Sequence, residues 1–232
     1  MTDNATIPAA DRAYTYTKDR ILQGDLGGGE LLSEGQISES LGVSRTPVHE
    51  AFLRLAAERL LTLSSRRGAV VTPMSPQETR DVLDTREAIE SVAARRLTEN
   101  GPLDAQSLSV LDEILERQRV AVGAHDVSAF VEADDKFHST VVARSANRLA
   151  LHLFSSIHDR QQRLRFQLLT LRGEHLAPAI TDHVELVQRL NEADAGGYAA
   201  RRTCAGRPCR SSLHFLDHAG IRAGHLRIPT RY

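Results

Sequence analysis

Apolar residues recur along most of the chain at the three-to-four-residue spacing of an α-helix, and only the region around residues 60–74 is β-prone. Residues 11–23, "DRAYTYTKDRILQ", predict a moderately amphipathic helix that stops at "GDLGGG", a glycine-dense run no helix survives. Ser33 and Gln36 form an S-x-x-Q capping pattern, Ile37 and Leu41 supply a buried face, and Gly42 is a natural C-terminal stop. In "VSRTPVHEAFLRL" (43–55), Val48, Ala51, Phe52 and Leu55 share one helical face, while Arg45, Thr46, His49 and Glu50 fall largely on others. "LLTLSSRRGAVVTPM" then predicts a hairpin turning at "SSRRG". Three helices and a two-stranded hairpin predict a winged helix-turn-helix over residues 8–75.

From residue 76 the pattern changes to long helical periods. Five segments follow: "SPQETRDVLDTREAIESVAARRLTENG", "DAQSLSVLDEILERQRVAVGAHD", "VSAFVEADDKFHSTVVARSAN", "RLALHLFSSIHDRQQRLRFQLLT" and "LAPAITDHVELVQRLNEADAGG". The expected fold is mainly α, with an all-α antiparallel bundle over 76–200 behind the winged helix. Residues 201–232 break the pattern. Gly206, Pro208, Gly220, Gly224 and Pro229 interrupt them, and arginines appear without helical phase, so an atypical, irregular segment is expected there.

Composition narrows the function. A net charge of −1 means that any nucleic-acid affinity comes from a local patch. Aromatics at 4%, with no Trp, argue against a base-stacking single-strand binder. No apolar run is long enough for a membrane span, and the N-terminus has no secretory pattern. Cys204 and Cys209 make no disulfide framework. A cytoplasmic protein is expected.

The start of the 43–55 helix carries chemistry. Ser44 or Thr46 is placed to cap it, and Pro47 is tolerated in a first turn, where its missing N–H needs no partner. Open backbone N–H groups and a positive dipole end form a phosphate-binding arrangement. Arg45 adds a fork suited to phosphate or to guanine, and His49 lies one turn on. An ordinary capped surface helix is the plainer alternative. The stretch "ISESLGVSRTPVHEAFLRLAAERLLTLSSRRGAVVTPM" resembles the GntR family of bacterial transcription regulators. The resemblance covers the first 75 residues or so. It implies that Ser44, Arg45, Thr46, Pro47, the residue at 49 and the wing around Gly68, with Arg66 and Arg67, meet double-stranded operator DNA. This chain has His49 where the family usually has Arg, so a permanent charge and a bidentate fork are missing there. It also has "DLGGGE" where a proline-glycine turn is usual.

A second cluster lies in the helical region. Asp134 and His138 are an i,i+4 pair on a helix with apolar neighbours Phe130, Val131, Val141 and Val142, and His183 sits among Val184, Leu186, Val187 and Leu190. Asp with His suits Zn, Ni or Mn. The alternative is an Asp–His hydrogen-bonded pair and a separate core histidine. "D-x-x-F-H", "SAN" and the later "H-x-x-x-V" resemble the FCD ligand-binding domain of the FadR-type subgroup. The resemblance implies that Asp134, His138 and His183 bind a divalent metal and that Arg86 faces a small carboxylate effector. A salt bridge from Arg86 to Glu90 is the alternative for that arginine. The family's last histidine, roughly twenty residues after His183, has no counterpart, since no histidine falls between His183 and His214. A reading-frame change near residue 201 accounts for that loss as a hypothesis, with His214 and His218 as substitute donors. Cys204 and Cys209 are poor zinc candidates at their spacing. His125, His152, His158 and His175 have no motif context.

The expected function is a transcriptional regulator, in the sense of a repressor, that binds a near-palindromic operator as a homodimer, because one recognition helix reads too few base pairs. A small organic acid in the helical domain would control it, with a weakly held divalent metal. The alternatives are a metal-dependent enzyme on the bundle, or a regulator whose altered C-terminus prevents effector sensing.

Overall fold

The computed structural model describes residues 7–64, 68–172 and 176–203. The chain divides at Ser75/Pro76 into two compact units, with Asp159–Phe166 grouped with the first.

In the first unit, α1 (Ala9–Leu22) buries Ala13, Thr17 and Ile21, one residue per turn. The glycine-rich stretch stops it, with Gly24 at φ 80° and Gly29 at φ 89°. Next come β1 (Leu31–Leu32), α2 (Glu34–Leu41), α3 (Arg45–Ala57), β2 (Leu61–Ser64) and β3 (Gly68–Val71). Ser33 caps α2 as expected, but its hydroxyl accepts from Gly35 N–H at 3.2 Å rather than from position 36. Gly42 closes α2 at φ 63°, in the left-handed region. Val48, Ala51, Phe52 and Leu55 of α3 are all fully buried, as their spacing predicts. They form one core with Ile21, Ile37, Leu61 and Val71. Lys18 Nζ lies 2.9 Å from Glu58 Oε2 and 2.7 Å from Asp159 Oδ2.

The expected hairpin gains a strand. The sheet order is β1-β3-β2, with Leu31 opposite Val70 and Leu61 opposite Val71. Gly68 begins β3 at φ 98°, and a Cβ there would run into the Leu32 carbonyl oxygen. Its lack of a side chain is therefore required by the close approach of β1.

The second unit contains α4 (Pro76–Thr98), α5 (Ala105–Gly123), α6 (Val127–Arg144), α7 (Arg148–Ser156), the two ends of α8 (His158–Arg172), α9 (Ala177–Asn191) and α10 (Ala195–Thr203). Three helices open on side-chain caps: Asp104 accepts from Ser107 N–H at 2.7 Å, Asp126 from Ala129 N–H at 2.9 Å, and Asn147 from Ala150 N–H at 3.1 Å. The core joins Ile89, Ala93, Leu111, Ile114, Phe137, Val141, Leu186, Leu190 and Tyr198.

Two expectations change. The single helix predicted over 148–170 is two, broken at Ile157. Ser155 Oγ donates to the Leu151 carbonyl and Ser156 Oγ to the Leu153 carbonyl, side-chain bonds that loosen a helix end. Helical structure also continues beyond "LVQRLNEADAGG", through α10 to Thr203, with Asp194 Oδ1 accepting from Gly197 N–H at 2.7 Å. No described helix is long and apolar enough to cross a membrane.

Candidate functional site

Helix α6 places Asp134 and His138 one turn apart, and α9 brings His183 to them. His138 Nε2 lies 3.1 Å from His183 Nε2. Asp134 Oδ1 is 3.3 Å from His183 Nε2 and 3.6 Å from His138 Nε2. The last distance is too long for a hydrogen bond, so the simple Asp134–His138 pair does not form. Both imidazoles are almost completely buried, and the Asp134 side chain is 13% exposed. The three donor atoms all lie within 4.8 Å of one another.

The far side of each ring has its own partner. His138 Nδ1 lies 2.8 Å from Glu90 Oε2 of α4, and His183 Nδ1 lies 2.9 Å from Gln118 Oε1 of α5. Both partners accept, so each Nδ1 donates, and each Nε2 is the ring atom that faces the cluster. Phe137 stacks on His183 with ring centroids 4.5 Å apart. Burial, reinforced by the Arg86 charge, pushes the His138 imidazole down to about 4, against the opposing pull of Glu90 and Asp134. His138 is therefore neutral at physiological pH. Two imidazole nitrogens and a carboxylate oxygen thus converge, between 3.1 and 3.6 Å apart. A divalent cation fits that donor set, and outer partners already fix both rings for it.

Arg86 is buried, with Nε 2.7 Å from Glu90 Oε1 and Nη2 3.8 Å from Asp134 Oδ2. The anticipated i,i+4 bridge is present, and the same guanidinium borders the cluster. Periodicity did not single out Gln118, Tyr198 or the bridging role of Glu90. One signal was available: Gln118 interrupts the apolar stripe Leu111, Ile114, Leu115 and Ala121 of α5, and it is fully buried.

At the other candidate site, α3 begins at Arg45, with Arg45 and Thr46 exposed and Pro47 half-buried. Ser44 occupies the cap position, is exposed, and makes no side-chain capping bond, which leaves the amides of the first turn open. His49 is exposed, with Nδ1 2.7 Å from Glu34 Oε1. Gly68 is half-buried. Arg66, Arg67, His175, Cys204, Cys209, His214 and His218 lie outside the described residues. His125 and His152 are exposed, and His158 Nδ1 sits 3.4 Å from Asp135 Oδ1.

Comparison with known proteins decides the family. Residues 9–71 match the model of the bacterial regulatory proteins of the gntR family, and residues 81–203 match the FCD domain. The chain belongs to the GntR family, with an FCD domain. The transcriptional repressor RspR of Escherichia coli is 27% identical over 194 residues, which cover 82% of each chain. The gluconate operon repressor of Bacillus subtilis is 34% identical over 124 residues, 53% of this chain and 49% of that one. A GntR regulator from a Rhodococcus species superposes with a TM-score of 0.69 at 20% identity, over 90% of this chain and 97% of that one. This GntR protein is thus a DNA-binding transcriptional regulator and not an enzyme.

Proposed function

We propose that this GntR regulator is a repressor that binds operator DNA as a homodimer through the start of α3 and the wing, and releases it in response to a small carboxylate held in the FCD domain. Ser44, Arg45, Thr46, Pro47 and His49, with Arg66, Arg67 and Gly68 of the wing, form the DNA-facing set. The exposed, uncapped first turn of α3 supports this assignment, since open amides and Arg45 suit the phosphate backbone and base edges. Two copies are needed because one recognition helix covers too few base pairs. The relatives named as repressors support the sign of regulation.

Asp134, His138 and His183 hold a divalent metal (Zn, Ni or Mn), and Arg86 receives the effector's carboxylate. The observation that carries this reading is the 3.1 Å approach of two imidazole Nε2 atoms, each ring being held through its Nδ1 by an outer acceptor. When bound, the ion supplies a Lewis-acidic point for a carboxylate oxygen. Two imidazoles and one carboxylate leave coordination positions open, so the ion is held weakly and more firmly when a chelating acid shares it. Metal analysis of protein purified without chelator tests this, together with DNA binding measured with and without added organic acids. Metal content unchanged by His183→Ala would show that the site is elsewhere.

A further inference from the structure

Helix α10 reaches the metal cluster through a phenol. Tyr198 is 0% exposed, and its hydroxyl donates to Glu90 Oε2 at 3.2 Å. That same oxygen lies 2.8 Å from His138 Nδ1, while Glu90 Oε1 accepts from Arg86 Nε at 2.7 Å. Glu90 is itself 0% exposed. A buried carboxylate therefore gathers donors from α4, α6 and α10, and one of those donors is the back of a metal ligand.

A residue that only filled the core here would need no hydroxyl. A phenol removed from water costs free energy unless its O–H is bonded, and this one is bonded to the group that orients His138. Helix α10 is also tied to α9, the element that carries His183. Asp194 Oδ2 lies 3.1 Å from Arg189 Nη1 at one end of α10. Arg201 pairs at the other end with Asp182, the residue next to His183, and its Nε lies 3.0 Å from Glu185 Oε2. The helix thus spans the segment bearing one ligand and, through Tyr198 and Glu90, holds the other.

We infer that Tyr198 is a positioning residue of the metal centre, fixing Glu90 in the setting that keeps His138 Nε2 turned toward His183 Nε2 and Asp134. This rests on the metal reading above. It assigns α10 a part in metal affinity that is separate from offering a ligand atom.

The test is calorimetric titration of chelator-treated full-length protein with Zn²⁺, for wild type and Tyr198→Phe. The variant keeps the ring and removes only the hydroxyl. Its Zn²⁺ affinity should fall about tenfold, the lower end of what outer partners of metal ligands contribute. The chain has four tyrosines and no Trp, so near-ultraviolet difference absorbance reads the phenols directly. Adding Zn²⁺ to wild type should perturb that absorbance, and the perturbation should vanish in Tyr198→Phe. A space-filling role would move neither reading. Equal Zn²⁺ affinity in the two proteins, or a difference spectrum that survives the substitution, overturns the inference and leaves the metal reading intact. No Zn²⁺ uptake by wild type overturns both.

Discussion

His49 Nδ1 lies 2.7 Å from Glu34 Oε1, joining the exposed side of α3 to the first residue of α2. The position that would carry a permanent cation in a typical GntR recognition helix is occupied here by an imidazole engaged with an acid. Glu34 also brings a negative charge beside the proposed phosphate-binding surface. Glu34→Gln should therefore strengthen DNA binding, and His49→Arg should gain more in that background than alone, because an arginine at 49 would otherwise pair with Glu34. Salt-dependent binding to a fragment selected by the wild-type protein measures all four combinations. Strictly additive effects would show that the pair does not act at the DNA surface.

Arg45 stands exposed at the first residue of α3. Arg45→Ala should cost about 1–3 kcal/mol on the selected sequence and relax discrimination at one base position if the guanidinium reads a base. A phosphate contact would instead weaken all sequences alike and make the salt dependence shallower. Binding of selected and scrambled fragments across a salt series separates the two.

Phe52 is fully buried at the centre of the first unit. Phe52→Ala should remove about 3–5 kcal/mol of stability and with it specific DNA binding. Urea unfolding followed by circular dichroism would read the loss. A change below about 1 kcal/mol would mean that the site collapses around the missing ring far better than such cores usually do.

The metal-free protein should lose stability as pH drops from about 6.5 to about 4. The unfolded chain protonates the His138 imidazole near 6.5, whereas the folded one resists until about 4. Between those values the unfolded state binds more protons, so folding weakens as pH falls and this contribution is complete above the window. The gap corresponds to about 3 kcal/mol. His138→Gln should remove that share of the pH dependence while leaving the carboxylates' share. Denaturant titrations in chelator at several pH values compare the two proteins, and identical slopes would contradict the prediction.

Metal content should vanish in His138→Ala and His183→Ala and persist in Cys204→Ser and Cys209→Ser. Gln118→Leu removes the acceptor for His183 Nδ1 and should weaken metal binding by about 10–100-fold. Elemental analysis and competition with a chromogenic chelator give both readings. Full affinity in Gln118→Leu would mean that the ring of His183 is held by Phe137 stacking alone.

Local signals carried the winged helix well. Gly42 and the Val48–Ala51–Phe52–Leu55 face act within a turn or two of themselves and do what their spacing predicts, and Ser33 caps α2, though through Gly35 rather than Gln36. Strand β1 escaped notice because two leucines form no pattern; their pairing with Ala69 and Val70 lies far along the chain. Helix α10 was hidden by Gly196 and Gly197, which read as a stop, although Asp194 caps it just before them. The residues of the candidate metal site were visible as an i,i+4 pair and an apolar-faced histidine. Their supports were not, because Glu90 precedes His138 by 48 residues and Gln118 precedes His183 by 65. Local periodicity has no access to contacts at that separation.

Gly68 fixes what evolution can do with the wing. Any mutation that changes this residue adds at least one carbon, and that carbon meets the Leu32 carbonyl. The position has no neutral neighbours in sequence space, so the junction of β1 and β3 cannot drift. On the proposed DNA-facing set, a lineage descending from this chain that acquires a new operator preference must do so at positions other than Gly68, with the strand junction carried along unaltered.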